Sequence, residues 1–165
     1  MGIVVFTPAP KPVDEFMRSK AAARSSLLAA SANSRVASVA MEMRQRFGVR
    51  WSGICVIYDE CQHVVASSGG MLGLYQRSTS LGSYVVAFPD NPLCILDTSE
   101  DERFAGNPFV TDGLIGFYAG AAILDKDGYA IGALCVTNPY PQSIVDPKSL
   151  QYLQAVARSL VGNLE

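Results

Sequence analysis

Residues 103–136, RFAGNPFVTDGLIGFYAGAAILDKDGYAIGALCV, constrain the fold more than any other stretch. Within 117–138, two apolar runs lie on either side of Asp127-Gly128. Glycine readily takes the positive φ that a tight hairpin turn requires, so the stretch predicts an antiparallel β-hairpin. Gly113, Gly116, Gly120 and Gly132 lie within or beside these strands. Glycine weakens a strand and often marks a bulge or a close approach by another group. Two readings are open. The glycines let covering helices lie close to the sheet, or they make room for a cavity beneath the 83–92 and 100–110 segments.

Helices bracket this core. Residues 12–32 predict one, with Pro12 at its start, an Ala-rich body and a thin apolar face of Phe16, Met17, Ala21, Leu27 and Leu28. Residues 34–47 predict a second. Val36, Val39, Ala40, Met43 and Phe47 recur at helical spacing, Ser34 can cap, and Gly48 ends the run. Asp146 as N-cap and Pro147 at the first position open the last helix, whose stripe is Leu150, Leu153, Val156, Ala157, Leu160 and Val161. SGICVIYDE (52–60) and QHVVASSGG (62–70) predict a first hairpin turning at Asp59, Glu60 and Cys61. Residues 69–92 read as a long irregular segment with a short helix near Tyr84–Phe88. LCILDT (93–98) reads as a strand and 100–107 as one or two helical turns. The order implies an α+β sandwich of five or six antiparallel strands covered by the terminal helices. The length suits a single domain over 12–165, preceded by a flexible segment over 1–11.

Composition excludes several function classes. The formal net charge is −2 and no stretch is dense in Lys or Arg, so there is no electrostatic footprint for nucleic acid. No segment approaches the ~20 apolar residues of a membrane span. The start, MGIVVFTPAPKP, lacks a basic region and is broken by prolines, unlike a signal peptide. Phe6 stands where a myristoylation motif has Ser or Thr. These features predict a soluble cytoplasmic protein. Cys55, Cys61, Cys94 and Cys135 form no CxxC pair and there is a single His, so no zinc set is at hand and the thiols read as buried and structural. With one His and no GxSxG elbow, a Ser/His/Asp hydrolase is set aside. Asp59-Glu60 and Glu100-Asp101-Glu102 read as solvated turn clusters rather than catalytic carboxylate pairs.

Arg103-Phe104-Ala105, Asn107-Pro108, Val110, Gly113, Phe117-Tyr118-Ala119-Gly120-Ala121, Asp127-Gly128 and Ile131-Gly132-Ala133-Leu134-Cys135-Val136 resemble the GAF domain family. They are most similar to its bacterial sensory branch. The element order fits from about residue 34 to residue 161. The resemblance implies a PAS-related fold, with the terminal helices on one face of the sheet and short helices and loops capping the other. It also implies a non-catalytic sensory or regulatory module in signal transduction. Such a module binds an unidentified small molecule between sheet and cap, pairs with protein, or does both.

Carried onto this chain, the resemblance places the pocket among Tyr84, Phe88, Asp97, Arg103, Phe104, Phe109 and Tyr118. Aromatic walls with few polar groups are the usual make-up of a small-ligand site. Each aromatic also reads as plain core, and Asp97 as a cap of the turn that follows it. Arg103 can pair with Asp97 or Asp101, or hold an anionic ligand in a bidentate manner. No cofactor is identified. Covalent bilin attachment has only Cys61-Gln62-His63 to offer, placed in the first hairpin turn, and the family's cyclic-nucleotide pattern is absent. The family's free methionine sulfoxide reductases need a reachable thiolate. Cys94, beside the expected cavity, is the one candidate, and Leu81-Gly82-Ser83-Tyr84 replaces the family's glycine-valine-cysteine-glycine stretch. The alternatives are therefore this thiol enzyme and a purely protein-interacting module. The family also implies a homodimer through the terminal helices 12–32 and 146–161, with Leu27 and Leu28 at the interface.

Overall fold

The computed structural model describes residues 6–32 and 34–164, with the backbone alone for 30–32. β1 (Trp51–Tyr58) and β2 (Cys61–Ser67) form the first hairpin, and β5 (Phe117–Leu124) and β6 (Ala130–Asn138) form the second. β3 (Gly73–Gln76) and β4 (Leu93–Ile95) are added at the edges. Among the described residues these make one sheet in the order β3-β2-β1-β6-β5-β4, antiparallel at every pairing. The two hairpins are therefore joined edge to edge by β1 and β6.

Alternation along the strands divides the sheet's side chains into two cores. Ile54, Val56, Phe117, Ala119, Ala121, Leu134 and Val136 meet Val36 and Met43 of α2 (Ser34–Phe47) and Leu153 and Ala157 of α5 (Pro147–Ser159). Ala21 and Ala22 of α1 (Glu15–Ala23) join this side. Ile57, Tyr118, Ala122, Ala133 and Cys135 face the other way, against Val85 and Val86 of α3 (Gly82–Ala87) and Phe104. The α+β sandwich has terminal helices on one face and short elements capping the other, as the sequence implied.

Local chemistry sets the element ends. Gly48 (φ +63) closes α2 with its own N–H on the Gln45 carbonyl and the Val49 N–H on the Arg44 carbonyl, a Schellman cap. Asp146 accepts from the Lys148 N–H at 2.9 Å and opens α5. The second hairpin turns at Gly128 (φ +86), but its loop is organised by Asp125, whose carboxylate accepts from the N–H groups of Asp127 and Tyr129.

Four expectations are corrected. The helix over 12–32 ends at Ala23 and continues after a break as a 3₁₀ segment, Ser26–Ala32. The Ser25 hydroxyl accepts from the Leu27 N–H and competes with the helical bond there. Leu27 consequently turns into the core and is fully buried, so it is no interface residue, whereas Phe16 and Met17 face outward. The segment over 69–92 contains the strand β3. Residues 100–107 hold one helical turn, as expected, closed by the Ala105 N–H on the Asp101 carbonyl, and the helix α4 (Pro108–Thr111) follows Asn107, whose side chain caps Phe109. Cys61 belongs to β2, so the first turn is Asp59-Glu60 alone. Of the flexible segment expected over 1–11, residues 1–5 lie outside the described residues. Thr7 donates to the Arg103 carbonyl and Ala9 touches the second core.

Phe104 is 1% exposed and meets the Tyr84 ring edge-on at 4.9 Å. Phe104→Ala is expected to destabilise the domain by about 3–5 kcal/mol, read from the denaturant midpoint. An unchanged midpoint would mean that the ring is not part of the core.

Candidate ligand site

A cavity of about 250 Å³ lies between the capped face of the sheet and the segments 79–82 and 109–115. Its walls include Trp51, Cys55, Tyr75, Phe109, Tyr118 and Cys135. The cavity lies beside the region expected from sequence rather than in it. Of the seven residues assigned to the pocket, Phe109 and Tyr118 line this cavity and the other five do not. Tyr84, Phe88 and Arg103 border a surface groove with Pro89 and Pro92. There Arg103 pairs bidentately with Asp101 and sits over the Tyr84 and Phe104 rings. Phe104 is core. Asp97 accepts from the Ser99 N–H and hydroxyl, which is the capping role, and makes no pair with Arg103.

The floor of the cavity is built by strand register. Trp51 and Tyr118 both pair with Thr137, from opposite sides of β6. One step along, Gly53 and Gly120 both pair with Cys135. β1 and β5 run parallel to each other because both are antiparallel to β6. The two aromatic rings lean the same way, each over the glycine two residues on. A Cβ on Gly53 would lie 2.1 Å from the Trp51 ring, and one on Gly120 would lie 2.7 Å from the Tyr118 hydroxyl. Gly53 and Gly120 are thus beds for two rings that flank the Cys135 thiol. Sequence reasoning missed Trp51, although the repeated pattern aromatic-x-glycine (Trp51-Ser52-Gly53 and Tyr118-Ala119-Gly120) was there to read. None of the four glycines admits a helix: Gly120 admits a ring, Gly116 abuts the Pro139 carbonyl, Gly132 abuts β1, and Gly113 stands in open space at φ +75.

Two polar atoms of this floor are buried without a hydrogen-bond partner among the described residues: Trp51 Nε1 and the Tyr118 hydroxyl. The third such atom, His63 Nδ1, belongs to β2 opposite Val56, on the helix-covered side. Burial raises the Tyr118 phenol well above its ordinary range, so it remains a neutral donor. Burial likewise pushes the Cys55 thiol up to about 12 and raises Cys135 further. Both cavity cysteines are therefore protonated near neutrality and poor nucleophiles. Cys94, the thiol expected beside the cavity, packs instead with the helix-side core, and burial raises it as well. Its strand position opposite Ala119 fixes that side. Among the described residues no cluster of three or more His, Cys, Asp or Glu is placed to hold a metal ion. No described helix is long and apolar enough to cross a membrane.

A family model of the GAF domain matches residues 31–164, and the chain belongs to that family. A cyclic di-GMP phosphodiesterase of Pseudomonas aeruginosa is 25% identical over 156 residues, covering 94% of this chain and 26% of its own length. The chain thus spans about a quarter of that curated relative. Among solved structures, a type II free methionine-R-sulfoxide reductase from Thermoplasma acidophilum superposes with a TM-score of 0.63 at 13% identity, over 82% of this chain and 93% of that one. The chromophore-binding domain of a bacteriophytochrome from R. palustris gives 0.62 at 16% identity, over 94% and 63%. At such identities the likeness is one of fold.

Proposed function

We propose that this GAF domain is a non-catalytic sensory module of the cytoplasm that binds a small molecule in the cavity floored by Trp51, Tyr118 and Cys135. The observation that carries the reading is the pair of partnerless polar atoms, Trp51 Nε1 and the Tyr118 hydroxyl, in a largely apolar cavity. Leaving such groups unpaired costs about 1–3 kcal/mol each, and a bound acceptor removes that cost. One structural neighbour is itself a chromophore-binding domain. Catalysis by a thiol is disfavoured because no cysteine at the cavity has a depressed pKa. The module acts on an attached or separate effector, and it pairs with a second copy through its terminal helices. Support for pairing comes from Phe16 and Met17, adjacent exposed apolar residues of α1, with exposed Val13 in the turn before it.

Native against denaturing mass spectrometry of freshly purified protein tests both parts. A non-covalent adduct present in the native spectrum and lost on denaturation, on a dimer mass, is the expected result. A monomer mass that persists with rising protein concentration overturns the pairing. An apo mass, joined to a Trp51→Phe variant with unaltered melting behaviour in cell extract and in buffer, overturns the sensor.

A further inference from the structure

We propose that the cavity selects a flat, uncharged molecule carrying a hydrogen-bond acceptor such as an aryl carbonyl, and rejects anions. The inference rests on the reading that the cavity is a ligand site. Three features set the chemistry. The first is shape. Trp51 and Tyr118 lie at one level of the sheet, two strands apart, with both rings leaning over glycines on either side of Cys135. Strands lie about 4.8 Å apart, so the two residues sit roughly 10 Å from each other across the floor. A planar ring system stacks on such a floor.

The second feature is polarity. An indole N–H can only donate, and the Tyr118 hydroxyl, beside a Cys135 thiol that is a weak acceptor and gives its own proton to the Gly53 carbonyl, can donate too. Both therefore ask for an acceptor on the ligand. Three hydroxyls of the lining are committed elsewhere: Ser80 to Gln62, Thr79 to the Gln76 carbonyl and Tyr75 to the Met71 carbonyl. The third feature is charge. Arg50 is the one charged residue of the lining, and it is exposed and stacked on Tyr140 at 5.1 Å. A phosphate or carboxylate on the floor would lose its hydration with no buried cation to replace it. The cavity volume of about 250 Å³ suits a molecule of two fused rings better than a nucleotide.

The protein carries one tryptophan, so a single indole N–H resonance reports on the site in a ¹⁵N–¹H spectrum. Three matched probes decide the matter: 2-acetylnaphthalene, 2-isopropylnaphthalene and 2-naphthoate. The ketone is expected to saturate and to move the Trp51 indole resonance downfield. The hydrocarbon should bind about tenfold more weakly and the carboxylate more weakly still. The double variant Trp51→Phe, Tyr118→Phe keeps both rings and, having no indole, is followed by calorimetry; it should bring the ketone and the hydrocarbon to within about twofold of each other. Equal affinity for ketone and hydrocarbon in the parent protein overturns the acceptor rule while leaving the cavity a ligand site. Tightest binding by the carboxylate overturns neutrality. If none of the three perturbs the resonance, the cavity reading fails with it.

Discussion

Gly132→Ala is expected to destabilise the domain by on the order of 3 kcal/mol or more, and to drive much of the protein into the insoluble fraction. Gly132 pairs with Val56 where β6 crosses β1, at the seam between the two hairpins. A Cβ there would lie 1.9 Å from the Cys55 carbonyl oxygen, 2.9 Å from its carbon and 3.0 Å from the Val56 Cα. All three are backbone atoms of a central strand, so no side chain can rotate to relieve the clash. The strands must separate, and the carbonyl groups they bury lose their partners. Gly69→Ala is the matched control. It has open space around it and no positive φ, so its effect should fall within about 0.5 kcal/mol. A Gly132→Ala protein that melts within about 2 °C of the parent would show that the seam gives way far more easily than its geometry requires.

Much of this architecture was legible because it is local. The β5–β6 hairpin, α2 and α5 each declare themselves by period and by a cap within their own residues. Four-residue β3 does not. Its Leu74 is 63% exposed, so no buried alternation marks it, and only pairing with β2 makes it a strand. The Leu27 outcome turned on a serine bond two residues long, too short a signal to override an Ala-rich helical run. The site was half legible for a different reason. Tyr118 and Phe109 stood inside the recognised motif, whereas Trp51 stood outside it. Trp51 and Tyr118 share a floor only because both strands take their register from Thr137 and Cys135 of β6. That is a non-local fact, and no spacing within either strand contains it. The same holds for Arg18, three residues after Glu15 in the sequence. Its principal partners are two backbone carbonyls far along the chain.

Those partners set up the second large effect, acid lability of the α1 junction. Arg18 is 1% exposed and donates to the carbonyls of Ile57 (2.7 Å) and Ala130 (3.1 Å). Its Nε and Nη2 hold the two oxygens of Glu15. Arg77, 5% exposed, holds the same carboxylate from the other side and also donates to the Asp59 carbonyl. Burial alone would raise the Glu15 carboxyl, but the hydrogen bonds from Arg77 and Arg18 outweigh it and hold the group at about 2, against an ordinary value of 4.5. A depressed folded-state pKa gives stability that is present above the unfolded value and is lost as the carboxylate protonates. The junction should therefore weaken as pH falls from 4.5 toward 2, by on the order of 3 kcal/mol in all. Asp101, lowered by its Arg103 partner, adds a smaller loss in the acid range. Glu15→Gln isolates the triad. It leaves two buried guanidinium groups without a counter-ion, so it should cost about 3–5 kcal/mol at neutral pH. It should also flatten the acid limb of the stability curve, because the group that titrates there is gone. Arg18→Met should cost a similar amount, by stranding the Ile57 and Ala130 carbonyls. Denaturant midpoints measured across pH separate these terms. A Glu15→Gln protein that keeps the parent's acid slope would assign the lability to Asp101 and the other carboxylates, and would reduce the triad to a structural clamp insensitive to pH.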